Sequence, residues 1–261
     1  MTEIFNNSES EYNLFRYKPI DKYLIDSLVK SSLWCAKPDT LNDPLDCQIN
    51  LLKAMERAHS LATGGQKETL RILIDDYDRE ESFIKKMQNK LPGVGICSFS
   101  RLGKFRSASI QWAHYADKHR GVRLSYRIPS SFINDRSHDW DHEKELFGLH
   151  PVHYKGDVLT SWLAQTKLAA SDFIVGLANC YYTAKSPAWS GEREVRIIRK
   201  EHGYLKIPLG YLEKVCFGLN TPTEDIELVK KLASEHCGCK KFSKMERDEK
   251  SDFAIKEVRI R

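Results

Sequence analysis

The stretch Glu192-Arg193-Glu194-Val195-Arg196-Ile197, entered through Trp189-Ser190-Gly191, constrains this chain more than any other. Successive side chains of a strand point to opposite faces. A strand here sets Glu192, Glu194 and Arg196 on one face and turns Val195 and Ile197 to a core. Two carboxylates about 7 Å apart beside an arginine are a costly face for a purely structural strand. They suit a partner that is positive, or becomes so. A solvated edge-strand face is the plainer alternative.

With 261 residues the chain can bury the core of one large domain or two modest ones. A formal charge of +5, with acidic and basic residues interspersed, permits contact with nucleic acid without requiring it. No apolar run approaches membrane-spanning length, and Met1-Thr2-Glu3 opens neither a basic nor an apolar leader, so a cytoplasmic protein without a membrane partner is expected. Seven scattered cysteines fit a reducing compartment. Cys237-Gly238-Cys239 has no second pair at zinc spacing, which favours structural thiols over a metal site.

Residues 1–13 read as a polar extension, followed by a single domain over 14–261. Leu14–Lys18 reads as a strand, Asp21 as the cap of a helix, and Leu33–Ala36 as a second strand. Residues 46–62 and 66–90 carry helical patterns, a helical insertion lying over the core. Val94–Ser100 is strand-like, Ser107–Lys118 helical, and Val122–Ile128 alternates as a strand. After a loop-rich 129–150 come a strand near Val152–Tyr154 and a long helix over about 160–184. Strands at Tyr204–Leu209 and Lys214–Leu219, a helix at Thr223–His236 and a strand at Phe253–Ile260 complete an irregular α+β order.

The phosphate-cradling glycine loop, the His-Glu-x-x-His zinc motif and the Gly-x-Ser-x-Gly nucleophile elbow do not occur. His138-Asp139-Trp140-Asp141-His142 has ligand chemistry, though a solvated polar loop is the plainer explanation. Arg101-Leu102-Gly103-Lys104-Phe105-Arg106 mixes cations with an aromatic, as phosphate contact plus stacking requires, or is a solvated loop.

Several blocks recur in one order: Leu14-Phe15-Arg16-Tyr17-Lys18-Pro19, Asn42-Asp43-Pro44-Leu45-Asp46, Cys97-Ser98-Phe99-Ser100, Trp112-Ala113-His114-Tyr115-Ala116-Asp117, Lys185 and Trp189–Arg196. Over about residues 12–235 this order resembles a bacterial family known as domain of unknown function 2971. That pattern in turn is similar to the ADP-ribosyltransferase fold, a split pair of small sheets holding a nicotinamide dinucleotide. In its arginine–serine–glutamate branch an arginine strand, a Ser-x-Ser strand and a Glu-x-Glu pair follow in sequence. Arg16, Ser98-Phe99-Ser100 and Glu192-Arg193-Glu194 stand in that order, with Phe99 where threonine is usual.

The resemblance implies an α+β, ADP-ribosyltransferase-like split β-sheet core with helical insertions. It implies NAD as substrate and a protein or nucleic-acid acceptor, in a toxin or antiphage effector with a possible antitoxin or effector partner. Cleaving the nicotinamide–ribose bond builds positive charge on the ribose, and a carboxylate stabilises it most in the transition state. Glu194 is expected in that role, Glu192 at the acceptor, and Arg16 at the pyrophosphate. Ser98 or Ser100 would bind the ribose or Glu194, Tyr17 or Phe99 would stack on nicotinamide, and Asn42, His114 and Tyr115 would line the cleft. Two alternatives stand beside this reading. One is a catalytically idle nucleotide- or nucleic-acid-binding module. The other is a metal-dependent nuclease using Glu192, Glu194 and Asp43 around magnesium.

Overall fold

A computed structural model describes residues 10–79, 81–101, 109–136, 145–165, 170–250 and 254–260. The elements run β1 (Glu11–Lys18), α1 (Lys22–Val29), β2 (Ser32–Cys35), α2 (Leu51–Leu61), α3 (Gly64–Asp75), α4 (Phe83–Lys90), β3 (Gly95–Ser100), α5 (Ser109–Tyr115) and β4 (Val122–Pro129). They continue with α6 (Ser130–Asn134), β5 (Leu146–Pro151), α7 (Val158–Gln165), α8 (Ala170–Thr183), β6 (Glu194–Arg199), β7 (Gly203–Lys206), β8 (Leu212–Phe217), α9 (Thr223–Cys237), β9 (Lys241–Arg247) and β10 (Ile255–Ile260).

The α+β class holds. In place of a pair of small sheets, the described strands form one eight-stranded sheet, ordered β10-β9-β8-β4-β1-β3-β6-β5, and a two-stranded sheet, β2-β7. The eight strands are nevertheless unevenly joined. β1 pairs with β4 along its whole length, Glu11 to Lys18, and β3 pairs with β6 from Gly95 to Ser100. Between them, β1 and β3 share one register pair, Phe15 opposite Ser100. Beyond it the strands part, and β2 reaches β3 through the bridge between Ala36 and Ile96. A gap therefore opens in the middle of the sheet. The β8–β9 pair is parallel because α9 crosses between its strands.

Helices cover both faces. One core packs Leu14, Leu124, Phe99, Val195 and Ile197 against Leu24 and Leu28 of α1 and Ile226 and Val229 of α9. The other packs Ile96 and Ile198 against Leu51, Met55 and Ala58 of α2, Leu159 of α7 and Leu177 of α8. The helical insertion thus shares a core with α7 and α8. Asp21 caps α1, its Oδ1 accepting from the Leu24 amide at 2.9 Å.

Several boundaries differ from expectation. Glu11–Asn13 belong to β1, because Tyr12 is buried and Glu11 pairs with Pro129. The helix expected over 66–90 is two, α3 and α4, interrupted where Asp76 caps α3. The helix expected over 160–184 is likewise α7 and α8. The stretch 129–150 holds α6 and most of β5, and β9 was not anticipated. Cys237 and Cys239 are buried thiols whose sulfurs donate to the Leu28 and Lys241 carbonyls, as structural cysteines do. The histidine loop 138–142 and most of the basic stretch 101–106 lie outside the described residues.

Gly121 ends the turn after α5, where Asp117, Lys118 and His119 all take positive φ. A Cβ at Gly121 would stand 2.1 Å from the Lys18 carbonyl, which is backbone and cannot yield cheaply. Gly121→Ala is expected to cost about 1–3 kcal/mol in urea unfolding; an unchanged midpoint would mean that β1 and this turn are not so closely packed.

Candidate functional site

The gap between β1 and β3 is a cavity of about 270 Å³. It is walled by Arg16, Trp34, Asn42, Ser98, Ser100, Gln111 and Tyr115 and floored by Asp46, Lys185, Glu192 and Glu194. Register explains why the serines and Glu194 meet. Ser98 pairs with Arg196 and Ser100 with Glu194, so all four side chains share one face, while Phe99 and Val195 share the other. Arg16 alternates with Phe15 and so belongs to the Phe99 face, its guanidinium 5.9 Å from that ring. Both sets still line one cavity because the strands part between them.

Glu192 does not lie on the strand. Pro187–Glu192 form a 3-10 turn, Arg193 follows in the left-handed region at φ 43°, and β6 begins at Glu194. The same-face argument therefore holds for Glu194 and Arg196, and Glu192 reaches the site from the turn. Nor is the face a solvated edge: β6 is flanked by β3 and β5, and Glu192, Glu194 and Arg196 are all buried.

The floor is an ionic cluster. Arg196 donates from Nε to Glu194 Oε1 at 2.8 Å and from Nη2 to Glu194 Oε2 at 3.1 Å. Its Nη1 and Nη2 fork onto Asp46 at 3.0 and 2.5 Å, and Nη1 also donates to the Tyr182 carbonyl at 2.6 Å. The Lys185 ammonium donates to Glu192 Oε2 at 2.7 Å and Glu194 Oε2 at 2.9 Å, with Asp46 at 3.5 Å. Three carboxylates thus face two cations. Burial pushes the Glu194 carboxyl up, but Arg196 and Lys185 outweigh it and hold the group at about 2. Burial would lower the Lys185 ammonium, and Glu194 and Glu192 raise it instead.

The two glutamates differ in spare capacity. An ionised carboxylate offers about four acceptor positions. Glu194 accepts two bonds from Arg196, one from Lys185 and a further one from Ser98. Glu192 accepts from Lys185 on one oxygen and from the Tyr115 hydroxyl on the other. Tyr115 is kept protonated by burial and by that bond, and it accepts in turn from Asn42 Nδ2 at 3.0 Å. Ser100 Oγ donates to the Glu192 carbonyl at 2.9 Å, fixing the turn. Glu194 is saturated. Glu192 retains acceptor positions toward the cavity.

The anticipated site residues are thus mostly brought together: Arg16, Asn42, Ser98, Ser100, Tyr115, Glu192 and Glu194 line one space. Tyr17 and Phe99 also border it, but their rings are buried, Tyr17 edge-on to Trp112 at 5.1 Å and Phe99 edge-on to Tyr126 at 5.8 Å. Neither ring offers a free face for stacking. His114 is exposed and does not line the cavity. Lys185 stood in the sequence only as one block of the family resemblance, and Asp46 as a turn residue or a ligand; both enter the floor of the cavity. Asp43 forms its own turn by accepting from the Leu45 amide, and Asp46 is the carboxylate that enters the cluster.

A family model described as a protein of unknown function (DUF2971) matches residues 111–197. The DUF2971 match runs from within α5 through β4 to the acidic strand segment as far as Ile197, and it supports the family resemblance over that part of the chain. Arg16 and Ser98 lie before it, and its description assigns no activity. No curated protein and no solved structure matches the chain. Among the described residues no helix is long and apolar enough to cross a membrane.

The depressed Glu194 carboxyl has a consequence for acid stability. Its contribution is complete above the ordinary value of 4.5 and is lost as pH falls toward about 2. Glu257, held at about 2 against burial by Arg123 and Lys214, acts with the same sign. The urea midpoint is expected to fall steadily between pH 5 and pH 2.5, a window set by these two groups. A flat midpoint across that window would contradict the ionised cluster.

Proposed function

We propose that the cleft binds a nicotinamide dinucleotide and transfers its ADP-ribose to a protein or nucleic-acid acceptor. The observation that carries this reading is the convergence of Arg16, Ser98 and the two glutamates, from three separated segments, on one cavity. In the reaction nicotinamide leaves with the electrons of the glycosidic bond, the ribose carbon becomes cationic, and an acceptor nucleophile closes on it. In place of Glu194, expected in this role but occupied by Arg196, Lys185 and Ser98, Glu192 with its open acceptor positions stabilises that charge or orients the ribose hydroxyls. Glu194 positions Lys185 and Arg196 beneath it.

Incubating the purified protein with NAD labelled in the adenylate, together with lysate, tests the reading. Label transferred to macromolecules with release of free nicotinamide is expected. Absence of both products across acceptors would overturn it.

A second reading, a nucleotide-binding module without turnover, is favoured by the saturation of Glu194 by Arg196, Lys185 and Ser98. Binding of NAD without nicotinamide release would select it. The magnesium nuclease draws less support, since Lys185 and Arg196 already hold the carboxylate oxygens that a metal would need.

A further inference from the structure

A second cavity, about 390 Å³, adjoins the first and shares Arg16, Lys18, Trp34, Ala36 and Thr40 with it. Its far side is formed by Ser32, Leu24, Leu124 and Tyr126, with Tyr23 and Asp21 at the margin. The two spaces form one bilobed cleft, and its waist carries two cations.

We propose that the waist and second lobe form a nucleoside-diphosphate subsite, in which Arg16 and Lys18 hold the diphosphate and the lobe beside Ser32 takes the nucleoside. This rests on the dinucleotide reading above but is tested without any transfer step. Neither Lys18 nor Ser32 belongs to the arginine–serine–glutamate set that led to that reading.

Three observations carry it. First, the waist cations have no carboxylate ion-pair partner among the described residues; beside them lies the buried Cys97 thiol, held at about 7 against burial by Cys35, Arg16 and Lys18. Arg16 donates from Nη2 to the Trp34 carbonyl at 3.0 Å, and no carboxylate pairs with Arg16 or Lys18 among the described residues. Arg16, then burial, push the Lys18 ammonium down to about 8, against weaker support from Cys97 and Asp21. Like charges held together out of water are a cost that a bound anion relieves. At positions i and i+2 on one strand face their Cα atoms stand about 7 Å apart, so both long side chains can address one anion that carries two linked phosphates.

Second, the Ser32 hydroxyl is buried, 4% exposed, lines the second lobe, and has no hydrogen-bond partner. A buried hydroxyl left unpaired is disfavoured, and a ribose hydroxyl or base nitrogen would satisfy it. Third, the cleft is electrically polar. Its first lobe ends on Asp46, Glu192 and Glu194 against Lys185 and Arg196, a formal excess of one negative charge, so phosphates are excluded there and drawn to the waist.

The test is calorimetric titration of the full chain with ADP, which has no nicotinamide to transfer, alongside adenosine and inorganic pyrophosphate. ADP is expected to bind more tightly than either part. Lys18→Met should weaken ADP about tenfold or more, as loss of a charge-assisted bond does, while Lys18→Arg retains it. Ser32→Ala should weaken ADP and adenosine roughly threefold or more and leave pyrophosphate unchanged. Lys18→Met should also melt higher than wild type without ligand, since it removes an uncompensated cation; this separates lost binding from lost folding. Equal ADP affinity in wild type and Lys18→Met overturns the subsite, as does pyrophosphate binding as tightly as ADP. ADP binding without label transfer upholds the subsite and removes the transferase reading. Transfer from NAD by a protein that does not bind ADP does the reverse.

Discussion

Replacing Arg196 by alanine is expected to cost roughly 3–5 kcal/mol of folding stability, read from urea unfolding at neutral pH. Arg196 is fully buried and donates to Glu194, Asp46 and the Tyr182 carbonyl. Its removal leaves three buried carboxylates, Asp46, Glu192 and Glu194, facing Lys185 alone. Breaking one side of a buried ion pair strands the other charge, and the stranded charge dominates the loss. Lysine at this position recovers part of the charge but cannot fork onto Asp46 and Glu194 together. Arg196→Lys should therefore fall between wild type and alanine. A loss below about 1 kcal/mol, the scale of an exposed pair, would show that the cluster is hydrated and loosely held.

Glu192→Gln is expected to reduce ADP-ribosyl transfer by roughly 10²–10³-fold, the usual cost of removing one transition-state stabiliser. Glutamine keeps the size of the side chain and can still accept from Lys185 or Tyr115, so the thermal midpoint should move little. Glu194→Gln makes the useful contrast. It removes the charge that Arg196 and Lys185 both address, so it should lose stability together with activity. The measurement is turnover of labelled NAD at saturating concentration, compared with the urea midpoint for each variant. Wild-type turnover in Glu192→Gln would reject its assigned role.

Much of this site was legible because strand alternation is a short-range rule. Ser98 and Ser100 share a face by spacing alone, as do Glu194 and Arg196, and the sheet register brings those faces together. Glu192 shows where the rule stops: Pro187 and the left-handed Arg193 place it on a turn, and it meets Glu194 through Lys185. The partner of Arg196, Asp46, lies 150 residues away, a relation that one sequence cannot display. Tyr17 was expected as a stacking ring and Phe99 as a stacking ring or core; both are buried, packed against Trp112 and Tyr126. β9 escaped notice because Lys241, Lys244, Glu246 and Arg247 dilute its alternation, and its strand character comes from pairing with β8 and β10. The split between β1 and β3 has no local signature at all.

That split makes the width of the cleft a mechanical variable. The two half-sheets are hydrogen-bonded at Phe15 and Ser100 as at a clasp and share one core beneath α1 and α9, so a rotation between them would pivot on that line and alter the mouth. A molecule spanning the opening would rivet the halves together, and its arrival should slow amide exchange along both bordering strands, well beyond the atoms it touches.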